Sequence, residues 1–115
     1  MHELSLAHDL VEIAGDAARQ ANIQKVSAVH LKVGALAGVV AESLLFCYEL
    51  AAQGTPLEGS RLVIEPVPLV VKCERCEAGC ELEEYNGLIC PKHGGPAPLI
   101  VSGRELRLES LEYET

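Results

Sequence analysis

Two short pairs of metal-type ligands, Cys73-Glu74-Arg75-Cys76 and Cys90-Pro91-Lys92-His93, constrain this chain more than any other feature. Thirteen residues separate them. A tetrahedral zinc ion needs four converging soft or borderline donors. A residue pair one tight turn apart supplies half of that sphere, and a loop of this length lets the second pair fold back over the first. Pro91 and Gly94-Gly95 suit tight turns at and beyond the second pair. The spacing therefore predicts a Zn(II) site at Cys73, Cys76, Cys90 and His93. A fifth sulfur, Cys80, competes with His93 for the last position, and the shared two-residue gap favours His93. A full set of protein ligands marks a structural site, since a catalytic zinc keeps one position open.

The rest of the chain is small and nearly lacks aromatics. Its 115 residues suit one compact domain, or one domain carrying a metal-stabilised insert. With one Phe, three Tyr and no Trp, the core must be built from Leu, Val, Ile and Ala. Seventeen acidic against nine basic residues give a net charge of −8. That balance repels phosphate backbones, and no basic patch offsets it, so no nucleic-acid partner is expected. There is no basic segment followed by an apolar run at the start, and no apolar stretch of about 18 residues, so neither a signal peptide nor a membrane span is expected. The five cysteines do not form a secreted disulfide pattern, and the cytoplasm is the expected compartment.

Residues 3–21 carry apolar side chains at three-four spacing: Leu4, Ala7, Val11, Ala14, Ala18 and Ala21, widened by Leu10 and Ala17. This predicts an amphipathic helix ending at Asn22. Residues 25–34 alternate, with Val29, Leu31 and Val33 on one face and Ala28, His30 and Lys32 on the other, as a half-buried strand does. His30 is expected on the solvated or partner-facing side. A second helix is expected over 41–53, its inner face formed by Leu44, Leu45, Tyr48, Ala51 and Ala52, with Cys47 as a small buried residue. Residues 61–66 read as a strand that Pro66 and Pro68 end. Leu69-Val70-Val71 resumes as a strand leading to Cys73, and 105–113 forms the last strand, with a change of burial near Ser110. The expected fold is α+β: a small three-stranded sheet with two helices, plus a zinc-binding insert domain. The expected boundaries are 1–68 and 99–115 for the first part and 69–98 for the insert.

The opening Met1-His2-Glu3 forms a second candidate site. The α-amine of Met1, the backbone nitrogen of His2 and its imidazole can chelate one ion through fused rings, and the Glu3 amide offers a fourth nitrogen. Such in-plane nitrogen donation suits Ni(II) or Cu(II), which favour square-planar or tetragonal fields. Taken alone, an early histidine is more often exposed and idle. His8, further along the helix, has the same default reading.

Several stretches together resemble the HypA family: Met1-His2-Glu3-Leu4-Ser5-Leu6, Val33-Gly34-Ala35-Leu36-Ala37-Gly38-Val39, Glu42-Ser43-Leu44, the paired knuckles, and the closing 105–112. The resemblance spans essentially the whole chain. It implies a hydrogenase maturation factor that delivers nickel, with a nickel-binding domain joined to a zinc domain. It also implies a transient Ni(II) cargo held by Met1, His2 and Glu3, with His2 indispensable. The implied partners are a nickel-handling GTPase and the large-subunit precursor of a [NiFe]-hydrogenase, with urease maturation proteins as a further set. The chain itself would be a monomer or a homodimer. Two departures stand out. The family's second knuckle normally ends in Cys where this chain has His93, and Val40 stands where an acidic residue often lies near the nickel. No catalytic triad, phosphate loop or placed carboxylate pair is visible, so no enzymatic activity is expected. A zinc-ribbon adaptor without a nickel role is the competing reading. An enzyme using Cys76 or Cys80 as a reactive thiol is a third.

Overall fold

The computed structural model of the protein describes residues 2–114. In chain order the elements are α1 (His2–Gln20), β1 (Val26–Gly34), α2 (Ala41–Ala52), β2 (Arg61–Val67), β3 (Leu69–Lys72), β4 (Cys80–Leu82), β5 (Leu99–Ser102) and β6 (Leu106–Tyr113). They build two three-stranded sheets, ordered β2-β1-β6 and β4-β3-β5. The chain divides into two compact units. Among the described residues, the first takes in 2–31, 39–65 and 107–114, and the second 32–38 and 66–106. This is the expected α+β architecture, with the second sheet added to it.

The first unit is held by small residues on α1. Ala7, Ala14, Gly15 and Ala18 are buried on the face that also carries Leu10 and Val11, which lets α2 approach closely. Leu4, Ala17 and Ala21, expected on the same stripe, are exposed. From α2 come Leu44, Cys47, Tyr48 and Ala52. Cys47 is therefore the small buried residue expected. Leu45, assigned to the inner face, is exposed instead, as are Phe46 and Leu50. The helix is apolar around most of its girth, and only one side of it is covered. The hydroxyls of Tyr48 and Ser60 lie 2.6 Å apart. Burial raises the Tyr48 phenol above its ordinary value, and that contact partly offsets the rise.

β1 is buried on more than its one expected face, because Ala28 is closed from solvent along with Val29 and Leu31. A lone methyl on the middle strand of three is shielded by neighbours on both sides. His30 is half-buried, with Nε2 3.2 Å from a Glu112 carboxylate oxygen; Arg61 reaches the same oxygen at 3.7 Å. Pro66 does not end its strand. β2 runs through it to Val67, which an edge strand permits because a missing N–H on the outer side breaks no ladder bond. The last strand is continuous from Leu106, with Leu108 and Leu111 half-buried. Among the described residues, no helix is long and apolar enough to cross a membrane.

Backbone bonds tie 32–38 into the second unit: Gly34 N–H donates to Glu105 O at 2.6 Å, Ala35 N–H to Val67 O at 3.0 Å, and Leu36 N–H to Gly103 O at 2.7 Å. The approach is close enough to require glycine. A Cβ built on Gly34 overlaps the Gly103 carbonyl and falls 2.7 Å from the Arg104 nitrogen, all of it backbone that cannot rotate away. Gly34→Ala should therefore cost at least about 2 kcal/mol in urea unfolding. A change within about 0.5 kcal/mol, the range of ordinary surface substitutions, would show that the approach relaxes freely.

Candidate metal centre

β3 delivers the chain to the first knuckle. There Glu74-Arg75 turn, closed by Cys76 N–H donating to Cys73 O at 3.2 Å. The chain then returns as β4, antiparallel to β3, with Val71 opposite Cys80 and Leu69 opposite Leu82. β5 pairs on the other side of β3, with a register shift between Val70 and Val71.

The second knuckle is set by its own loop. Asn86 donates to Ile89 O at 2.9 Å and accepts from Ile89 N–H at 3.0 Å. Leu88 sits in the left-handed region at φ 63°, half-buried against the cysteines, and its carbonyl accepts from Ala97 N–H at 2.8 Å. Cys90 O accepts from Gly94 N–H and Cys90 N–H donates to Gly95 O, both at 2.8 Å. These two bonds turn the chain back at Pro91-Lys92, with Gly94 supplying a φ of +76°.

The result is a group of four donors, from Cys73, Cys76, Cys90 and His93, whose ligand atoms all lie within 4.8 Å of one another. Cys76 Sγ is 3.4 Å from Cys73 Sγ and 3.7 Å from Cys90 Sγ. His93 presents Nδ1 at 3.2 Å from Cys73, 3.7 Å from Cys76 and 3.5 Å from Cys90. With Zn–S of about 2.3 Å and Zn–N of about 2.0–2.1 Å, a regular tetrahedron has edges of roughly 3.8 Å between sulfurs and 3.5 Å from sulfur to nitrogen. The five distances given lie within about 0.4 Å of those edges, so the residues fit a four-coordinate ion of zinc type. The three cysteines are buried and His93 is half-buried, with no position left over for a substrate. Cys80 lies outside the four, its sulfur 3.9 Å from that of Cys76.

Electrostatics divides the thiols. Burial pushes the Cys73 thiol up, and the neighbouring Cys76 and Cys90 thiols add to the rise against backbone N–H groups at Arg75 and Cys76. Burial also opposes charge on Cys90, but the backbone at His93 and Lys92 outweighs it. With further help from the His93 ring and Cys76, the value falls to about 6.

At the other candidate site, Met1 lies outside the described residues. His2 is exposed at the first position of α1. Glu3 is buried, and its carboxylate accepts the N–H of Val40, the residue capping α2, at 3.2 Å. Val40 has no side-chain acceptor of its own for the helix start, so Glu3 supplies a negative charge at that positive end. Sequence reading did not find this role, and two residues 37 apart leave no local signal. Glu3→Ala should cost about 1–2 kcal/mol in urea unfolding, whereas Glu3→Gln, which keeps an acceptor oxygen, should cost under about 1 kcal/mol. Equal losses would mean that charge, and not the hydrogen bond, holds the contact. His8 is exposed on α1.

Two helices on a three-stranded sheet, joined to a second sheet that carries three thiols and an imidazole at ligand spacing, define a small two-unit metal-binding protein. The family described as "Hydrogenase/urease nickel incorporation, metallochaperone, hypA" matches residues 1–113. The chain is 53% identical over 112 residues to the hydrogenase maturation factor HypA of Chloroflexus aurantiacus, covering 97% of this chain and 98% of that one. It is 50% identical over 114 residues to that of a Roseiflexus species, covering 99% and 93%. In fold it is similar to the solution structure of the Ni metallochaperone HypA from Helicobacter pylori, with a TM-score of 0.67, 20% identity and 96% of each chain covered. A second HypA solution structure gives a TM-score of 0.72 at 21% identity, covering 99% of this chain and 97% of that one. The chain belongs to the HypA family. Proteins of this family are metallochaperones for nickel incorporation into hydrogenase and urease, and are not enzymes.

Proposed function

We propose that this chain binds Ni(II) at its amino terminus, through Met1, His2 and the backbone nitrogen of Glu3, and delivers it during [NiFe]-hydrogenase maturation. The observation that carries the reading is the family match, which begins at Met1 and takes in the Met-His-Glu start. Supporting it, His2 is exposed at the head of α1, where the first amides carry no helical hydrogen bonds and remain available to a metal. The Glu3 carboxylate is engaged with Val40, so its backbone nitrogen is the donor proposed.

In the same reading Cys73, Cys76, Cys90 and His93 hold a structural Zn(II), which keeps the second unit folded for docking. The nickel site belongs with the helical unit and the zinc site with the other. Cargo of this kind is received from, or passed on with, a nickel-handling GTPase, and goes to the hydrogenase large-subunit precursor in the cytoplasm. The acidic surface favours partners with basic faces.

A host strain lacking this chain tests delivery. Its hydrogenase should be nickel-poor, and should recover both on complementation and in nickel-rich medium, where mass action replaces the carrier. A hydrogenase fully loaded with nickel in that strain at ordinary nickel levels would overturn the proposal.

A further inference from the structure

Five donors crowd the metal end of the second unit, and the fifth has no task in the reading above. Cys80 opens β4, and its backbone is fixed opposite Val71 by the antiparallel register. Its sulfur stands 3.9 Å from that of Cys76, against 3.4 Å and 3.7 Å for the sulfurs of Cys73 and Cys90 from the same atom. Two thiolates on one tetrahedral zinc are roughly 3.8 Å apart, so Cys76 and Cys80 already hold the spacing of ligands to a common ion. The chain is shaped to bring Cys80 there. A Cβ on the preceding Gly79 would overlap Val70 Cγ1, so glycine there lets this segment lie against β3 without displacing the Val70 side chain.

Among the four ligating candidates, His93 is the one most open to solvent. It lines a cleft with Cys73, Glu74, Pro96 and Pro98. Cys80 reaches the cluster from a different cleft, formed with Arg75, Cys76, Glu77 and Lys92. Arg75 lines both clefts, so the two donors lie in adjoining openings beside the first knuckle. Arg75 and Lys92 bring two positive charges against the one negative charge of Glu77, which offsets the extra charge of a fourth thiolate.

We propose that Cys80 is a reserve ligand: when His93 leaves the ion, the Cys80 sulfur takes its position, and three sulfurs and one nitrogen become four sulfurs. The bond to Nδ1 breaks, the bond to Sγ forms, and the Cys80 thiol gives its proton to solvent, with no change of oxidation state. The second unit keeps its metal while the His93 imidazole is released to its cleft. This rests on the metal reading of Cys73, Cys76, Cys90 and His93.

Co(II) loaded into the full-length chain without oxygen tests it, because the intensity of the sulfur-to-cobalt charge-transfer band counts thiolate ligands. His93→Ala should bind one Co(II) with a band about one third stronger than wild type, three thiolates having become four. Its Zn(II) affinity in competition with a chelator should stay within about tenfold of wild type, Cys80→Ser should match wild type, and the double variant should fall by about 100-fold or more. A band in His93→Ala no stronger than that of wild type, or an affinity equal to that of the double variant, would overturn the inference. A wild-type chain that binds no Co(II) at all would remove the metal reading itself, and this inference with it.

Discussion

Acetylating the α-amine of Met1, or extending the chain ahead of it, should weaken Ni(II) binding by about 100-fold or more. Loss of even an outer-sphere partner typically costs 10–100-fold, and here a direct donor is lost. His2→Ala should do the same. The argument is one of fused rings: amine, amide and imidazole enclose the ion together, so removing any one opens a ring and leaves donors too few to impose a planar field. Protons compete for the same amine and imidazole, so affinity should also fall as the pH drops. Calorimetric titration of zinc-loaded protein, native against acetylated, tag-extended and His2→Ala, measures this directly. Equal affinity in all four would remove the amino-terminal site. A loss confined to His2→Ala would leave the imidazole as a ligand but not the chelate.

Cys73→Ala should empty the zinc site and unfold the second unit, while Cys80→Ala should leave metal content near one ion per chain. Structural zinc contributes about 10–16 kcal/mol of apparent binding free energy in small domains, all of it available to folding. The second unit has little else to rely on. Its buried cluster is Leu69, Val71, Leu82 and Ala97 together with Cys73, Cys76 and Cys90 themselves, and a core this small does not hold a fold without a metal or another staple. Metal analysis after gel filtration, paired with hydrogen exchange, separates the outcomes. Amides of β3, β4 and β5 should lose protection in Cys73→Ala, while those of α1 and α2 keep it. Metal lost in both variants would mean that Cys80 holds the fourth position in place of His93, and metal kept in Cys73→Ala would remove Cys73 from the ligand set.

What could be read beforehand, and what could not, divides along the range of the interactions. α1, β1, α2 and the two long outer strands followed from periodicity, because each is long enough to repeat its pattern. The three residues of β4 and the four of β5 carry no such repeat, so the sequence shows β4 only as loop around the metal and β5 only as unassigned chain beyond it. They become strands only because β3 lies between them. Leu45 and Ala21 are exposed for another reason: pattern reports which face is apolar, not how far the neighbouring element extends to cover it. Pro66 reads as a stop in one dimension because the edge position of its strand shows only in the sheet. The four clustered donors were legible because two matched pairs state their geometry locally. The Glu3 contact to Val40 states nothing locally and had to be seen.

The backbone bonds from Gly34, Ala35 and Leu36 to Glu105, Val67 and Gly103 carry a consequence for anyone wishing to transplant the metal-bearing half. No single cut-out of consecutive sequence contains it alone: a piece running from 66 to 106 would lack 32–38, leaving those three carbonyls bare and Leu36 missing from beside its core. Grafted onto another carrier, such a piece would need the missing heptapeptide supplied as a separate strand.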